Sequence, residues 1–284
     1  VDRIVYVNGD YLPEAEAKIS VFDRGFLLAD AVYEVTSVLD GRLVDFPGHL
    51  ARFHRSLGAL ELTTPLDDAG LEEMHRELLK RNRLTEGAVY MQVTRGAADR
   101  DFAYPASSEP GLVAFTQAKA LIESPTAAKG IRVISVQDIR WARRDIKTTQ
   151  LLGPSMCKMI AKKAGADDAW FVEEGFVTEG TSNNAWIITA DGAIVTRNLS
   201  AAILHGITRA AVMAYAEAAG MRVEERPFTI AEAQGAAEAF ITSASAFVTP
   251  VVEIDGVPLG DGAPGPVTKR LRELYIAESR ARAS

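Results

Sequence analysis

The chain has 284 residues, 48% hydrophobic and 24% charged, with a formal net charge of −7, values of a globular protein that can form one large or two smaller domains. Acidic and basic residues are mixed along it, so no basic stripe exists for nucleic acid or an anionic membrane surface, and no run of about 18 apolar residues reads as a membrane span. One cysteine (Cys157) and four histidines without ligand spacing point away from a disulfide or metal cluster, and the charged start lacks the pattern of a signal peptide, so a cytoplasmic location is expected.

Ile4 to Val7 followed by Asn8-Gly9 predicts a hairpin, because that dipeptide tolerates the positive φ of a tight turn. Tyr33 to Leu39 and Arg42 to Phe46, joined by Asp40-Gly41, predict a second. After Pro47 the spacing of Leu50, Phe53, Leu57 and Leu60 predicts a helix with Arg52 beside the apolar stripe. A second amphipathic helix is expected over Asp68 to Arg83, then strands at Ala88 to Thr94 and Gly111 to Thr116. The Ala-rich stretch with Pro125 suggests a linker. The expected organisation is a small N-terminal α/β domain (1–118), a linker (119–129) and a larger C-terminal domain (130–284).

Beyond the linker, strands are expected near Ile131 to Val136, Ala169 to Val172, Ala185 to Thr189, Ala193 to Thr196 and Ala239 to Thr242, with Asp191-Gly192 as a turn. Helices are expected at Ile207 to Ala219, Thr229 to Gln234 and Pro266 to Arg282, and Lys158, Lys162 and Lys163 belong to a charged helix face. Four short segments combine small residues, hydroxyls and charges beyond what turns require: Asp145 to Thr149, Thr178 to Asn184, Leu204 to Arg209 and Thr242 to Ser245. A Gly-Ile-Thr run opening a helix presents backbone N–H groups at the positive end of a dipole and suits a phosphate, although a Thr there also serves as an ordinary cap.

Asp23-Arg-Gly-Phe26, Asp30-Ala-Val-Tyr-Glu-Val35, His49-Leu-Ala-Arg52, Asp145-Ile-Lys147, Thr178-Glu-Gly-Thr-Ser-Asn183 and Gly206-Ile-Thr-Arg209 occur in an order and spacing that resemble the fold-type IV pyridoxal-phosphate aminotransferases, within them the D-amino-acid aminotransferase branch. The resemblance spans almost the whole chain. It implies a two-domain α+β or α/β fold, pyridoxal 5'-phosphate (PLP) as cofactor, and a homodimer with shared active sites. Lys147 is then the Schiff-base lysine and proton shuttle, and Glu179 the carboxylate facing the pyridine nitrogen. Arg52 falls at the phosphate, with Ile207, Thr208, Ser243 and Ala244 completing the cup.

For the substrate, the resemblance implies that Tyr33 and an Arg-x-His segment from the neighbouring subunit bind the α-carboxylate. Here that run reads Arg100-Asp-Phe102, so the guanidinium is kept and Phe102 replaces histidine. The expected reaction moves an amino group from a D-amino acid to a 2-oxo acid. Loss of the imidazole keeps R-selective amine aminotransferases, which take donors without an α-carboxylate, as an alternative. The branched-chain L-amino-acid branch, usually longer, and the aminodeoxychorismate lyases, usually shorter and without the Asp-Arg-Gly run, match less well.

Overall fold

The computed structural model describes residues 3–284, which divide into two compact units. The first comprises the chain through Ala120 together with Ile146–Gln150 and Arg282–Ser284; the second comprises Leu121–Asp145 and Leu151–Ala281.

In the first unit the chain forms β1 (Ile4–Val7), β2 (Asp10–Pro13), α1 (Arg24–Leu28), β3 (Ala31–Leu39), β4 (Arg42–Leu43), α2 (Phe46–Ala59), α3 (Asp68–Asn82), β5 (Gly87–Thr94) and β6 (Gly111–Ala118). The strands make an antiparallel sheet in the order β2-β1-β6-β5-β3-β4. Both expected tight turns form: Asn8 and Gly9 have φ of 50° and 110°, Asp40 and Gly41 of 52° and 73°. Successive side chains alternate across the sheet. Val32, Glu34, Val89, Met91, Val93, Leu112 and Ala114 are buried, with α2 against β3 and α3 against β1 and β6. The opposite face carries the half-buried Tyr33, Val35, Tyr90, Gln92, Val113 and Phe115. There Tyr33 stacks on Tyr90 at 5.4 Å and Tyr90 on Phe115 at 4.8 Å.

The second unit contains α4 (Pro125–Lys129), β7 (Ile131–Gln137), α5 (Leu152–Lys163), β8 (Asp168–Glu173), β9 (Phe176–Gly180), β10 (Asn184–Ile188), β11 (Ile194–Thr196), α6 (Ile207–Ala218), β12 (Val223–Glu225), α7 (Ile230–Gln234), β13 (Glu238–Ser243), β14 (Phe247–Ile254), β15 (Val257–Pro258) and α8 (Pro266–Arg282). Its mixed sheet runs β12-β11-β10-β13-β14-β7-β8-β9, with β15 pairing β14. One core layer includes Val133, Trp170, Ile187, Val195, Phe228 and Ile241; a smaller one gathers Cys157, Ala161, Ala169 and Phe171.

The expected strand Arg42 to Phe46 ends at Leu43 because Asp45, at φ 53°, turns the chain into α2, and the expected linker contains a helix, α4; two further elements, β14 and α5, carry features that obscure them in the sequence. Pro250 lies inside β14 although proline cannot donate to a ladder; it sits one residue ahead of the first β14–β7 partner, Val251 opposite Ile131, so that side of the strand has no bond to lose there. Helix α5 carries the predicted lysine face, but it buries Cys157 and Ala161 while exposing Leu152, Met156, Met159 and Ile160. Apolar residues on both sides blur the 3.6-residue period by which such a helix is recognised.

Candidate active site

Lys147 lies in a short extended segment of the first unit that is tied into β3: its carbonyl accepts from the Tyr33 N–H at 3.0 Å, and Val32 bridges to Thr148. Its own N–H donates to Ser56 Oγ on α2 at 3.2 Å. The backbone is therefore fixed on both sides, and the half-buried side chain carries its amine 4.2 Å from the centroid of the Tyr33 ring. No acidic side chain forms an ion pair with that amine among the described residues. A lysine held over an aromatic face without a counter-ion differs from the solvated lysines of α5, where Lys158 pairs with Asp168 at 3.0 Å and Lys162 with Asp167 at 3.3 Å.

Glu34, next to Tyr33, points to the helix-covered face and meets two residues of α2. Arg52 Nε and Nη2 donate to its two oxygens at 2.7 and 2.6 Å, and His49 Nδ1 lies 2.8 Å away. Burial alone would push the Glu34 carboxyl up, but the Arg52 guanidinium, with help from His49, outweighs it and holds the carboxyl far below the usual range. Arg52 is 4% exposed, so this pairing stabilises its charge in the interior. Arg100 and Phe102 project from the exposed loop after β5, with the guanidinium 5.4 Å from the Phe102 ring centroid.

In the second unit, Glu179 is a buried carboxylate near the end of β9. Arg140 Nη1 donates to Oε1 at 2.5 Å, Asn184 Nδ2 to Oε2 at 3.0 Å, and the Leu204 N–H to both oxygens at 3.2 and 3.0 Å. Asn184 also donates to the Leu204 carbonyl at 2.9 Å, fixing Glu179 to the segment that leads into α6. Burial raises the Glu179 carboxyl above its ordinary range, and the Arg140 charge pulls against that rise. Arg140 is itself gripped by Asp138 through bonds of 3.0 and 2.7 Å. Helix α6 starts at Ile207 behind Gly206, whose position supplies no side-chain cap, so N–H groups of its first turn such as those of Ile207 and Thr208 are open to an anion. Ser243 and Ala244 are half-buried at the turn from β13 to β14.

The family model for class IV amino-transferases matches residues 31–254. The chain belongs to the class IV aminotransferases. It is an enzyme that takes an amino donor and a 2-oxo acid acceptor. It is 38% identical over 274 residues to the D-alanine aminotransferase of Staphylococcus aureus (strain N315), covering 95% of this chain and 96% of that one. Against the D-alanine aminotransferase of Staphylococcus haemolyticus it is 38% identical over 283 residues, covering 99% of each. Among solved structures, a T.th. branched-chain amino acid aminotransferase with pyridoxamine 5'-phosphate superposes with a TM-score of 0.91 at 28% identity, covering 99% of this chain and 95% of that one. These matches bear out the expected fold-type IV architecture. No helix among the described residues is long and apolar enough to cross a membrane, and no group of potential metal ligands occurs among them.

Of the residues selected from this class IV aminotransferase sequence, Lys147 and Tyr33 are brought together in the first unit, with Arg52 attached through Glu34. Glu179 is joined to the approach to Ile207 and Thr208 in the second. Several supporting residues were not selected from sequence. Glu34 anchors Arg52 and Arg140 holds Glu179. The buried Asp168 accepts from Thr181 Oγ1 at 2.5 Å and Asn183 Nδ2 at 2.7 Å, ordering the loop beyond Glu179. Glu34 carried a signal, being a carboxylate at a strand position that alternation assigns to the same face as Val32.

Proposed function

We propose that this aminotransferase uses PLP, joined to Lys147, to move the amino group of a D-amino acid to a 2-oxo acid. The observation that carries the proposal is the Lys147 amine, held 4.2 Å from the centroid of the Tyr33 ring with no acidic side chain paired to it among the described residues, so that no ion pair has to break before it meets an aldehyde. Each unit carries groups of suitable chemistry: in the first, this amine for an aldehyde; in the second, the buried Glu179 carboxylate for a pyridine nitrogen and the uncapped start of α6 for a phosphate. When bound, the cofactor supplies an electrophilic carbon and an electron-accepting ring. Lys147 Nζ takes the proton from the donor's Cα and returns one to the acceptor. Glu179, oriented by Arg140, Asn184 and the Leu204 N–H, holds a proton on the pyridine nitrogen. Arg52, Ile207, Thr208, Ser243 and Ala244 hold the phosphate.

Tyr33, Arg100 and Phe102 are assigned to the donor, with the guanidinium binding its α-carboxylate. The similarity to D-alanine aminotransferases supports a D-amino acid. Phe102, an apolar ring where histidine is expected, is the one observation favouring an R-amine without a carboxylate. A homodimer of the chain accounts for the exposed Val21, Phe22 and Phe26 of the first unit and the exposed Leu152, Met156 and Met159 of the second, since a second copy would cover apolar surface that a monomer leaves in water. In that dimer Arg100 and Phe102 act at the partner's site. The single, buried cysteine suits the reducing cytoplasm.

Protein reconstituted with PLP is expected to absorb visible light and to lose that band in Lys147→Ala; a colourless wild type refutes the cofactor assignment. Turnover of D-alanine with 2-oxoglutarate is expected to exceed that of (R)-1-phenylethylamine with pyruvate. The reverse order assigns the enzyme to R-amines.

A further inference from the structure

The Asp23-Arg24-Gly25 run has no role in the chemistry above, yet its arginine is 2% exposed. Arg24 Nε donates to Asp30 Oδ2 at 2.8 Å, and Nη1 reaches the carbonyls of Asp101 at 2.6 Å and Ala103 at 3.2 Å. Those two carbonyls flank Phe102, the residue that stands where histidine is expected, and Arg100 is one residue before them. The same Asp30 accepts from Arg95 Nε and Nη2, and the Arg95 guanidinium lies 3.5 Å from the centroid of the Tyr104 ring. The loop is thus held at both ends of the Arg100–Tyr104 stretch by two arginines organised on one carboxylate.

The neighbouring residues make this arrangement possible. Asp23 caps α1 by accepting from the Gly25 N–H and receives the Thr94 hydroxyl, each at 2.8 Å. A Cβ on Gly25 would collide with the Thr94 methyl group, and one on Gly96, at φ +91°, with the Glu109 carbonyl. The Arg24 N–H donates to the Gly96 carbonyl at 2.9 Å and the Ala98 N–H to the Phe22 carbonyl at 3.2 Å, so α1 and the start of the loop are stitched together by backbone.

We infer that Arg24 is a positioning residue for donor specificity: by binding the carbonyls on either side of Phe102 it fixes where Arg100 and Phe102 point, and so how strongly the enzyme prefers donors with an α-carboxylate. The inference rests on the proposed assignment of Arg100 to that carboxylate. An exposed loop is normally free to sample many arrangements, and a carboxylate contact needs its guanidinium held in one. Arg24 binds backbone, so it acts whatever side chains the loop carries.

The test uses the PLP-loaded enzyme with Arg24→Gln, Tyr104→Leu and Arg100→Ala. In Arg24→Gln the KM for D-alanine is expected to rise about tenfold with kcat within about threefold, as for loss of an interaction made equally in ground and transition states. The kcat/KM for (R)-1-phenylethylamine, which has no carboxylate to orient, is expected to stay within about twofold. Tryptic cleavage after Arg100 is expected to accelerate about fivefold or more, because a released loop fits a protease better. Tyr104→Leu, which loosens the other end and leaves α1 intact, is expected to shift the same quantities in the same direction by about threefold, and decides the matter if Arg24→Gln does not fold. An unchanged KM and cleavage rate in the folded variants, or an equal loss of kcat/KM for both donors, overturns the inference. If Arg100→Ala raises the KM while Arg24→Gln and Tyr104→Leu do not, the inference fails and the assignment of Arg100 stands. If Arg100→Ala leaves the KM unchanged, that assignment fails and takes the inference with it.

Discussion

Glu34→Gln isolates the counter-charge on which Arg52 depends. In the wild type Arg52 Nε and Nη2 each bond a different Glu34 oxygen, at 2.7 and 2.6 Å, inside a region where Arg52 is 4% exposed and Glu34 1%. Glutamine keeps one acceptor oxygen but turns the other position into a donor facing a donor, and it removes the charge. Taking one partner from a buried pair costs about 3–5 kcal/mol, a large share of the roughly 5–15 kcal/mol that keeps a protein folded. Urea denaturation of the apoprotein at pH 7 should show that loss in the midpoint with an unchanged slope. Cofactor should recover part of it, because under the proposed assignment its phosphate brings Arg52 a second anion. The sign with pH follows from Glu34's lowered folded-state value. Its contribution is fully present above the unfolded value of about 4.3 and is lost as pH falls through the folded one. The gap between wild type and variant should therefore narrow below about pH 4.3. A loss under about 1 kcal/mol at pH 7 would refute the claim that Glu34 neutralises Arg52.

Two further outcomes are expected. His75 is fully buried, with Nδ1 2.7 Å from the Leu71 carbonyl and its ring 4.8 Å from Phe46, and burial lowers its pKa from 6.5 to about 4. The unfolded chain therefore binds a proton that the folded one refuses. Stability is fully retained above pH 6.5 and falls by about 1.4 kcal/mol per unit until about pH 4. Thermal melts of His75→Phe should decline less over that window than those of the wild type, and parallel declines would exclude the histidine as the cause. Glu179→Gln should lower kcat on the order of 100-fold, the scale of one preorganised electrostatic contact, while the cofactor Kd changes far less because the phosphate ligands remain. A proportional weakening of both would show that the carboxylate serves binding and not the electron sink.

The turns were the most legible part of the fold, because Asn8-Gly9 and Asp40-Gly41 take positive φ at both residues and Asp191-Gly192 takes it at Gly192, as their residue types allow. What escaped was structure whose local pattern is ambiguous. Helix α1 is five residues long, too short to display a period. Helix α5 is apolar on its buried side at Cys157 and Ala161 and on its outer side at Met156 and Met159, so its sequence announces a helix face only through its lysines. Strand β14 contains Pro250, a residue that strand interiors avoid, and the point at which β7 begins to pair explains why it is tolerated there.

The same division runs through the site. Lys147 and Glu179 are proposed from the motifs Asp145-Ile-Lys147 and Thr178 to Asn183, whose resemblance supplies the roles, and the chemistry agrees with the residue types: an amine for an aldehyde and a carboxylate for a pyridinium. The residues that hold Arg52 and Glu179 act on a partner far along the chain, 18 residues from Glu34 to Arg52 and 39 from Arg140 to Glu179, so neighbouring residues say little about them. Alternation within a strand does carry a trace, since a carboxylate on the same face as Val32 is a buried charge that must find a partner. Arg24 shows the limit of that logic. Its short helix has no period to read, and its targets are main-chain carbonyls, which every sequence possesses; its function becomes visible only when the loop it binds has a position. A charged residue buried with no local pattern to explain it is thus a pointer to something held in place, and at Arg24 the thing held is the backbone on either side of Phe102, which under the proposed assignment carries the side chains that set donor choice.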